Sequence, residues 1–72
     1  MDRASGGQVL TDREGEILLL LARRFTNREI ADHLGIDLQT VKTHNQHIYS
    51  KLRVHGRVEA REKIREHLHP KE

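Results

Sequence analysis

The stretch from Asp37 to Leu52 reads D-L-Q-T-V-K-T-H-N-Q-H-I-Y-S-K-L, and the interpretation of the whole chain starts from its pattern. At about 100° per residue, its larger apolar side chains share one side of a helix and its polar side chains share the other. The apolar side consists of Val41, Ile48, Tyr49 and Leu52, and the polar side of Gln39, Lys42, Thr43, Gln46 and Ser50. The pattern predicts a helix over residues 38–52 that packs along one face.

Acidic residues are absent from the polar side of this helix and from residues 53–58, which follow it. Between Gln39 and Val58 there are four Lys or Arg residues and three histidines, but no Asp or Glu. Residues 1–38 hold five arginines against seven acids, and residues 59–72 hold four of each, so the positive charge is concentrated in one segment. Amide, hydroxyl and ammonium groups on such a face can reach base edges in a DNA major groove. The charge distribution therefore favours a nucleic-acid partner.

Length and composition limit the other classes of function. A chain of 72 residues forms one domain with a small core, and it has no cysteine for a disulfide or a thiolate metal site. No apolar run reaches the roughly 18 to 20 residues of a membrane span, and the N-terminus lacks a signal-peptide pattern, so a soluble, cytoplasmic protein is expected. No glycine-rich phosphate loop or spaced nucleophile and base is present. Neither an enzyme nor a cofactor is predicted.

Two capping boxes precede the central helix and predict the starts of two others. T-D-R-E at residues 11–14 and T-N-R-E at residues 26–29 each place a glutamate three residues after a capping threonine. In the first helix, Leu19 is expected to point away from the apolar face. Gly35 can take a positive φ and end the second helix, and Asp37 can cap the next one. Short helix, tight turn and longer helix together form a helix-turn-helix unit.

The two ends of the chain complete the predicted organisation. Residues 1–9 contain Ser-Gly-Gly without periodicity and are interpreted as a flexible arm or linker, residues 10–68 as the helix-turn-helix domain, and residues 69–72 as a tail. A last helix is expected from about residue 57 to residue 68, with Pro70 ending it. Its side chains expected inward or at a partner interface are Val58, Ala60, Ile64 and Leu68. Without any strand pattern, the predicted fold class is all-α with four helices.

Five segments, in order and spacing, resemble a known family. They are L-T-D-R-E-G-E-I-L, T-N-R-E-I-A-D-H-L-G-I, T-V-K-T-H, I-Y-S-K-L and R-V-E-A, and they run from Leu10 to about Ala60. They are similar to the LuxR-type, or GerE-like, helix-turn-helix domain of bacterial transcription regulators. The segment N-Q-H-I-Y-S-K-L is similar to the C-terminal domains of MalT-like regulators, and response regulators are the alternative within the family.

The resemblance implies a function and partners. A domain of this type has four helices and binds double-stranded DNA as a homodimer on an inverted repeat. In a longer protein it is usually joined to an N-terminal sensory or phosphoacceptor domain, and RNA polymerase is a further candidate partner. The sequence-specific output domain of a transcription regulator is therefore the function that the resemblance predicts, with the helix over residues 38–52 reading the major groove.

The resemblance also assigns roles to particular residues. The base-reading positions of the family correspond to Lys42, Thr43 and Gln46, which the helical pattern independently places on the polar side. Their ammonium, methyl and amide groups suit guanine, thymine and adenine edges respectively. Phosphate contacts in such domains come from the start of the second helix and the flanks of the third, and the corresponding residues are Asn27, Arg28, Thr40, His44, Lys51 and Arg57. Such contacts set the register on the duplex.

The chain departs from the family pattern at several helix ends. Arg24 and Arg53 stand where the family usually has glycine, so the sequence predicts either strained turns or two added phosphate contacts. Gly56 replaces the usual Asn or Ser cap of the last helix, a change of only a few tenths of a kcal/mol. That helix offers aliphatic residues for dimerisation in the family, whereas here it carries Arg61, Glu62, Arg65 and Glu66. The residues that form a dimer are therefore not assigned.

The sequence offers three alternative functions. The fourth region of a sigma factor shares the helix-turn-helix plan and the wording T-x-R-E and E-I-A, although T-V-K-T-H with I-Y-S-K-L favours the LuxR type. A helical adaptor would instead bind a protein through the apolar surplus of the first helix. Metal binding is suggested by six histidines. However, His44 with His47, and His67 with His69, have no third ligand at a recognisable spacing, so no metal is expected.

Overall fold

The structure is a computed structural model that describes residues 9–68, with side chains as far as residue 66. Its four helices are α1 (Asp12–Ala22), α2 (Asn27–Leu34), α3 (Leu38–Leu52) and α4 (Arg57–Leu68). No strand occurs over residues 9–68, so the predicted all-α fold with four helices is confirmed. Most of the predicted arm, the tail and Pro70 lie outside the described residues.

Side-chain caps start the first three helices at the predicted residues. The Thr11 hydroxyl accepts from the Glu14 amide at 3.1 Å, and the Thr11 amide donates to the Glu14 carboxylate at 2.9 Å. Thr26 and Glu29 form the same pair at 3.1 and 2.8 Å. Asp37 Oδ1 accepts from the amide of the third residue of α3 at 2.7 Å. Because each cap satisfies amides that have no helical partner, the start of each helix is fixed locally.

The turns after α1, α2 and α3 all contain a residue in the left-handed conformation. Gly35 follows α2 with φ 70°, as predicted, and Arg24 and Arg53 have φ 69° and 62°. Gly35 has no Cβ and takes this conformation without strain, whereas the two arginines do not. Both arginines therefore occupy positions suited to glycine, as the sequence predicted.

The substitution Arg24→Gly tests whether the left-handed conformation of Arg24 is strained. The glycine removes a left-handed penalty of about 1 to 2 kcal/mol and adds an entropic cost of about 0.5 to 1 kcal/mol, so we expect a net gain of roughly 0.5 kcal/mol in the free energy of unfolding. Urea unfolding measures the change. Arg24→Ala is the matched control, because alanine removes the charge but retains the Cβ, and it should not stabilise the chain. Equal gains in both variants would show that charge repulsion matters rather than backbone strain.

The core lies among the four helices. Helix α1 packs against α3 and α4, and α2 packs against α3. The buried apolar side chains are Ile17, Leu18, Leu20, Leu21, Ile30, Ala31, Val41, Ile48 and Ala60. Leu19 is 50% exposed, which confirms that it points away from the core. Val58 was predicted to lie inward or at a partner interface, and because it is 63% exposed, the inward position is wrong. This core fixes one side of α3 and leaves the other side in solvent.

Candidate nucleic-acid interface

The solvent face of α3 carries the three residues predicted to read bases. Lys42, Thr43 and Gln46 are all exposed, and they fall within about 100° of one another around the helix. On the opposite side, Val41 and Ile48 are fully buried. The first turn of α3 is held by its aspartate cap. A rigidly anchored helix therefore presents a continuous polar surface that carries a lysine and no acid.

The predicted phosphate-contact residues divide into two groups. Arg28 and Thr40 are exposed at the starts of α2 and α3, and His44 is half-buried beside the solvent face of α3. The other three, Asn27, Lys51 and Arg57, form hydrogen bonds with other parts of the domain. The structure thus gives the second group an internal role that the sequence did not reveal.

Lys51 joins the end of α3 to the start of α1. Its Nζ lies 2.7 Å from Glu14 Oε1, with 20% of the lysine side chain and 6% of the glutamate side chain exposed. The same ammonium donates to the Val9 carbonyl at 3.4 Å. Burial by itself raises the pKa of Glu14, but hydrogen bonds from Lys51 and Thr11 together with the lysine charge lower it below its ordinary value. The carboxylate is therefore ionised at neutral pH and holds two helices together.

Acid should remove the contribution of Glu14 to stability. A carboxyl whose pKa is lower in the folded chain adds stability that is complete above the unfolded pKa and is lost as pH falls through the folded pKa. We expect the free energy of unfolding to decline below about pH 5, and to decline less in Glu14→Gln. Urea unfolding at several pH values measures both slopes.

Two other carboxylates also favour their charged forms, and they contribute equally to the pH dependence of the parent chain and of Glu14→Gln. The pKa of Asp37 is lowered by the hydrogen bonds from Thr40, and the pKa of Glu59 is lowered chiefly by the hydrogen bond from the His55 amide. Both groups are present in the parent chain and in Glu14→Gln, so their effects cancel in the difference. Identical pH slopes for the two proteins would contradict the role assigned to Glu14.

Arg57, at the start of α4, is hydrogen-bonded to the start of α2. One of its terminal nitrogens donates to the Phe25 carbonyl at 2.8 Å and the other to Asn27 Oδ1 at 2.7 Å. Asn45, from the middle of α3, donates to the same Asn27 oxygen at 2.9 Å. Sequence reasoning did not single out Asn45. Its spacing of four residues from Val41 and three from Ile48 places it on the buried stripe, and this was the available signal.

Gly56 has no capping side chain at the start of α4, and a glutamate of the first turn bonds the residue before it. The His55 amide donates to Glu59 Oε1 at 2.6 Å, and the His55 ring nitrogen Nδ1 lies 3.2 Å from the same oxygen. This contact reaches back over the glycine and satisfies an amide at the helix start. The exposed Arg53 lies immediately before this turn. Glu59 therefore bonds the amide that precedes Gly56, which is a different donor from the helix amides that an Asn or Ser cap would bind.

Neither a metal-binding group of side chains nor a membrane-spanning helix occurs among the residues that the structure describes. No three or more His, Asp or Glu side chains there are grouped so that they could hold a metal ion. His44 and His47 belong to α3, whereas His67 and His69 lie outside the side chains that the structure describes. None of the helices in this part of the chain has the length and hydrophobicity to cross a bilayer.

The architecture and the exposed face define a class of protein. A short helix, a left-handed glycine turn and a capped helix with an exposed, acid-free polar side form a helix-turn-helix unit, the structure of a DNA-binding transcription regulator. The family described as "Bacterial regulatory proteins, luxR family" matches residues 8–63. The chain therefore belongs to the luxR family, as the five sequence segments predicted, and not to the sigma-factor alternative.

Named relatives agree with this membership. Proteins named "Response regulator protein VraR" from Staphylococcus aureus, Staphylococcus saprophyticus and Staphylococcus epidermidis are 50% identical to the chain over 58 residues. The match covers 81% of the chain and 28% of each relative, so the chain spans less than a third of the length of these curated relatives. Response regulators were the alternative to MalT-like regulators in the resemblance, and these relatives carry the response-regulator name.

Proposed function

We propose that the chain is the sequence-specific DNA-binding output domain of a bacterial response regulator, and that α3 reads bases in the major groove. The observation that carries this proposal is the division of α3 into a buried side and an exposed side on which Lys42, Thr43 and Gln46 stand together. Membership of the luxR family supports DNA as the partner, and the names of the relatives support a response regulator as the kind of protein. The remainder of such a regulator would carry the signal-receiving part.

The three exposed residues of α3 suit different base edges. The Lys42 ammonium donates to O6 or N7 of guanine, and the Gln46 amide pairs with N6 and N7 of adenine. The Thr43 methyl contacts the methyl group of thymine. Because these side chains lie on adjacent positions of one helix, they would read neighbouring base pairs. Such contacts account for sequence preference, and they require phosphate contacts that fix the position of the domain on the duplex.

Phosphate contacts are assigned to the edges of α2 and α3. Arg28, Thr40 and His44 are the predicted residues that stand at or near the surface. Asn27, Lys51 and Arg57 remain in the proposal as well, since an amide, an ammonium and a guanidinium each have more donors than the contacts described for them use. Their internal hydrogen bonds fix where those remaining donors lie. The two groups together would place one domain on the backbone beside its half-site.

Two copies on an inverted repeat form the proposed assembly, with RNA polymerase as a further partner. The exposed residues of α4 include Val58 together with Glu62 and Arg65, which pair at 3.8 Å. Val58 and Leu19 are the large apolar side chains exposed on the described helices, and they belong to different helices. Such a surface offers little apolar area for a stable protein dimer. We therefore expect pairing to depend mainly on the spacing of two half-sites on DNA.

Selection from a random duplex library, followed by salt titration, tests this function. We expect enriched sites with inverted half-sites whose centres are about 10 base pairs apart or a multiple of this. Affinity for the selected site, measured by fluorescence anisotropy, should fall by about 0.9 logarithmic units per logarithmic unit of salt for each phosphate neutralised. A protein-binding adaptor would yield no enriched sequence and no salt-dependent duplex binding, and that result would overturn the proposal.

A further inference from the structure

One oxygen atom joins three helices beside the proposed reading face. Asn27 Oδ1, at the first residue of α2, accepts from Asn45 Nδ2 at 2.9 Å and from Arg57 at 2.7 Å. Asn45 lies in the middle of α3, and Arg57 is the first residue of α4. Arg57 also donates to the Phe25 carbonyl, just before α2, at 2.8 Å. We call these three side chains the asparagine–arginine cluster.

The chemistry of arginine fixes the orientation of both amides in this cluster. A guanidinium has donors only, so the atom of Asn27 that faces Arg57 must be its oxygen. Asn45 meets the same oxygen and must therefore present its NH2 group. The oxygen of Asn27 is thus held inside the domain by two donors. The NH2 group of this half-buried side chain is the part left for a ligand at the start of α2.

Asn45 is an unusual residue for the position that it occupies. It is 4% exposed and belongs to the buried side of α3, next to Val41 and Ile48. Its Oδ1 is buried and has no hydrogen-bond partner among residues 9–66. An unpaired buried polar atom destabilises a fold, and an apolar side chain of similar volume would avoid this cost. Stability alone therefore does not account for asparagine at this place in the helix.

The location of Asn45 supplies an explanation. It comes one residue before Gln46 and three residues after Lys42, so its hydrogen bond fixes the part of α3 that carries the reading face. The partner of this bond is the first residue of α2, where a phosphate contact is assigned. The cluster therefore fixes the distance between the proposed base-reading residues and a proposed backbone contact. Arg57 extends the constraint to α4.

We infer that Asn45 and Arg57 are positioning residues for sequence-specific DNA binding. Through Asn27 Oδ1 they hold the reading face of α3 in register with the start of α2, and they keep the Asn27 NH2 group directed to a phosphate of the same duplex. This inference rests on the proposed function and adds to it the residues that couple base reading to backbone contact. It predicts a loss of sequence discrimination without a corresponding loss of folding.

Asn45→Leu is the first test, because leucine is similar in size and removes the unpaired oxygen. The measured quantities are the melting temperature and the ratio of affinities for the selected site and for random duplex. We expect a melting temperature at or above that of the parent chain. The ratio should be about tenfold lower, which is the effect of losing one or two hydrogen bonds to the selected site. A folded Asn45→Leu protein with the parental ratio would overturn the inference.

Arg57→Lys is the second test, and it does not depend on how the core accepts leucine. Lysine keeps the positive charge but lacks the planar group that donates to Phe25 and Asn27 together. We expect the discrimination ratio to fall several-fold while the salt dependence stays the same, because the charge near the backbone is retained. Arg65→Lys, at an exposed position of the same helix, is the matched control and should leave the ratio unchanged.

The measurements distinguish a wrong proposed function from a wrong positioning role. If the parent chain itself does not prefer the selected site over random duplex, the proposed function is wrong. If the parent chain discriminates and Arg57→Lys discriminates equally well, the positioning role is wrong and the proposed function stands. An Arg57→Lys protein that loses affinity equally on both duplexes would identify Arg57 as a simple phosphate contact, which also overturns the inference.

Discussion

Ile48→Ala is expected to destabilise the domain by about 2 to 5 kcal/mol, the largest effect of the substitutions considered. Ile48 is fully buried in α3 and belongs to the core that α1 shares with the other helices. Truncation removes buried methyl groups and leaves a cavity. The surrounding helices are held by their other core contacts, so the cavity cannot close fully. A chain of 72 residues has a total stability of roughly 4 to 10 kcal/mol, and this loss would consume much of it.

Thermal and urea unfolding would measure the loss from Ile48→Ala, which corresponds to a fall of at least about 8 °C in melting temperature. Leu19→Ala is the matched control, because it also truncates an aliphatic side chain, but at a position that is 50% exposed. We expect the control to change stability by about 0.5 kcal/mol or less. Similar losses in the two variants would refute the assignment of the buried side of α3.

Lys42→Ala is expected to weaken binding to the selected site by about 1 to 3 kcal/mol, which is roughly 5- to 150-fold. Lys42 is exposed on the outer side of α3, so its removal leaves no cavity and should not change the melting temperature. The loss should be concentrated at one base pair, where guanine is no longer preferred. Competition assays with a full set of single-base variants of the site would show this.

Lys63→Ala provides the charge-matched control for Lys42→Ala. Lys63 is exposed on α4, outside the proposed interface, and its removal also lowers the net charge by one. We expect its effect on affinity to be small and equal for all duplexes. If Lys42→Ala weakens binding to selected and random DNA by the same factor, Lys42 contacts a phosphate and does not read a base.

Much of the local structure could be derived from short-range patterns. The two capping boxes, the aspartate cap and Gly35 specify helix ends through contacts within four residues, and all of them are confirmed. The period of apolar residues likewise identified the buried side of α3. The resemblance of five sequence segments predicted membership of the luxR family, and the match over residues 8–63 confirms it. These features depend on neighbours along the chain, and so the sequence contains the information directly.

Tertiary contacts decided the roles of several polar residues. Lys51 is 37 positions from Glu14, and Arg57 is 30 positions from Asn27, so no local pattern could show that they are hydrogen-bonded. The family resemblance implied phosphate contacts for these residues, because a surface lysine and a lysine that pairs with a buried carboxylate look alike in a sequence. Val58 is an apolar residue at a helical spacing, but it is exposed because no neighbouring helix covers it.

By itself, the sequence determined the four helices, their ends and the polar face that α3 turns to solvent, because these follow from periodicity and from caps that span one turn. Only the folded chain decided which polar side chains form hydrogen bonds inside the domain and which remain at its surface. The reason is geometric: hydrogen bonds such as that between Asn45 and Asn27 require atoms within about 3 Å, and helix packing brings such distant residues together.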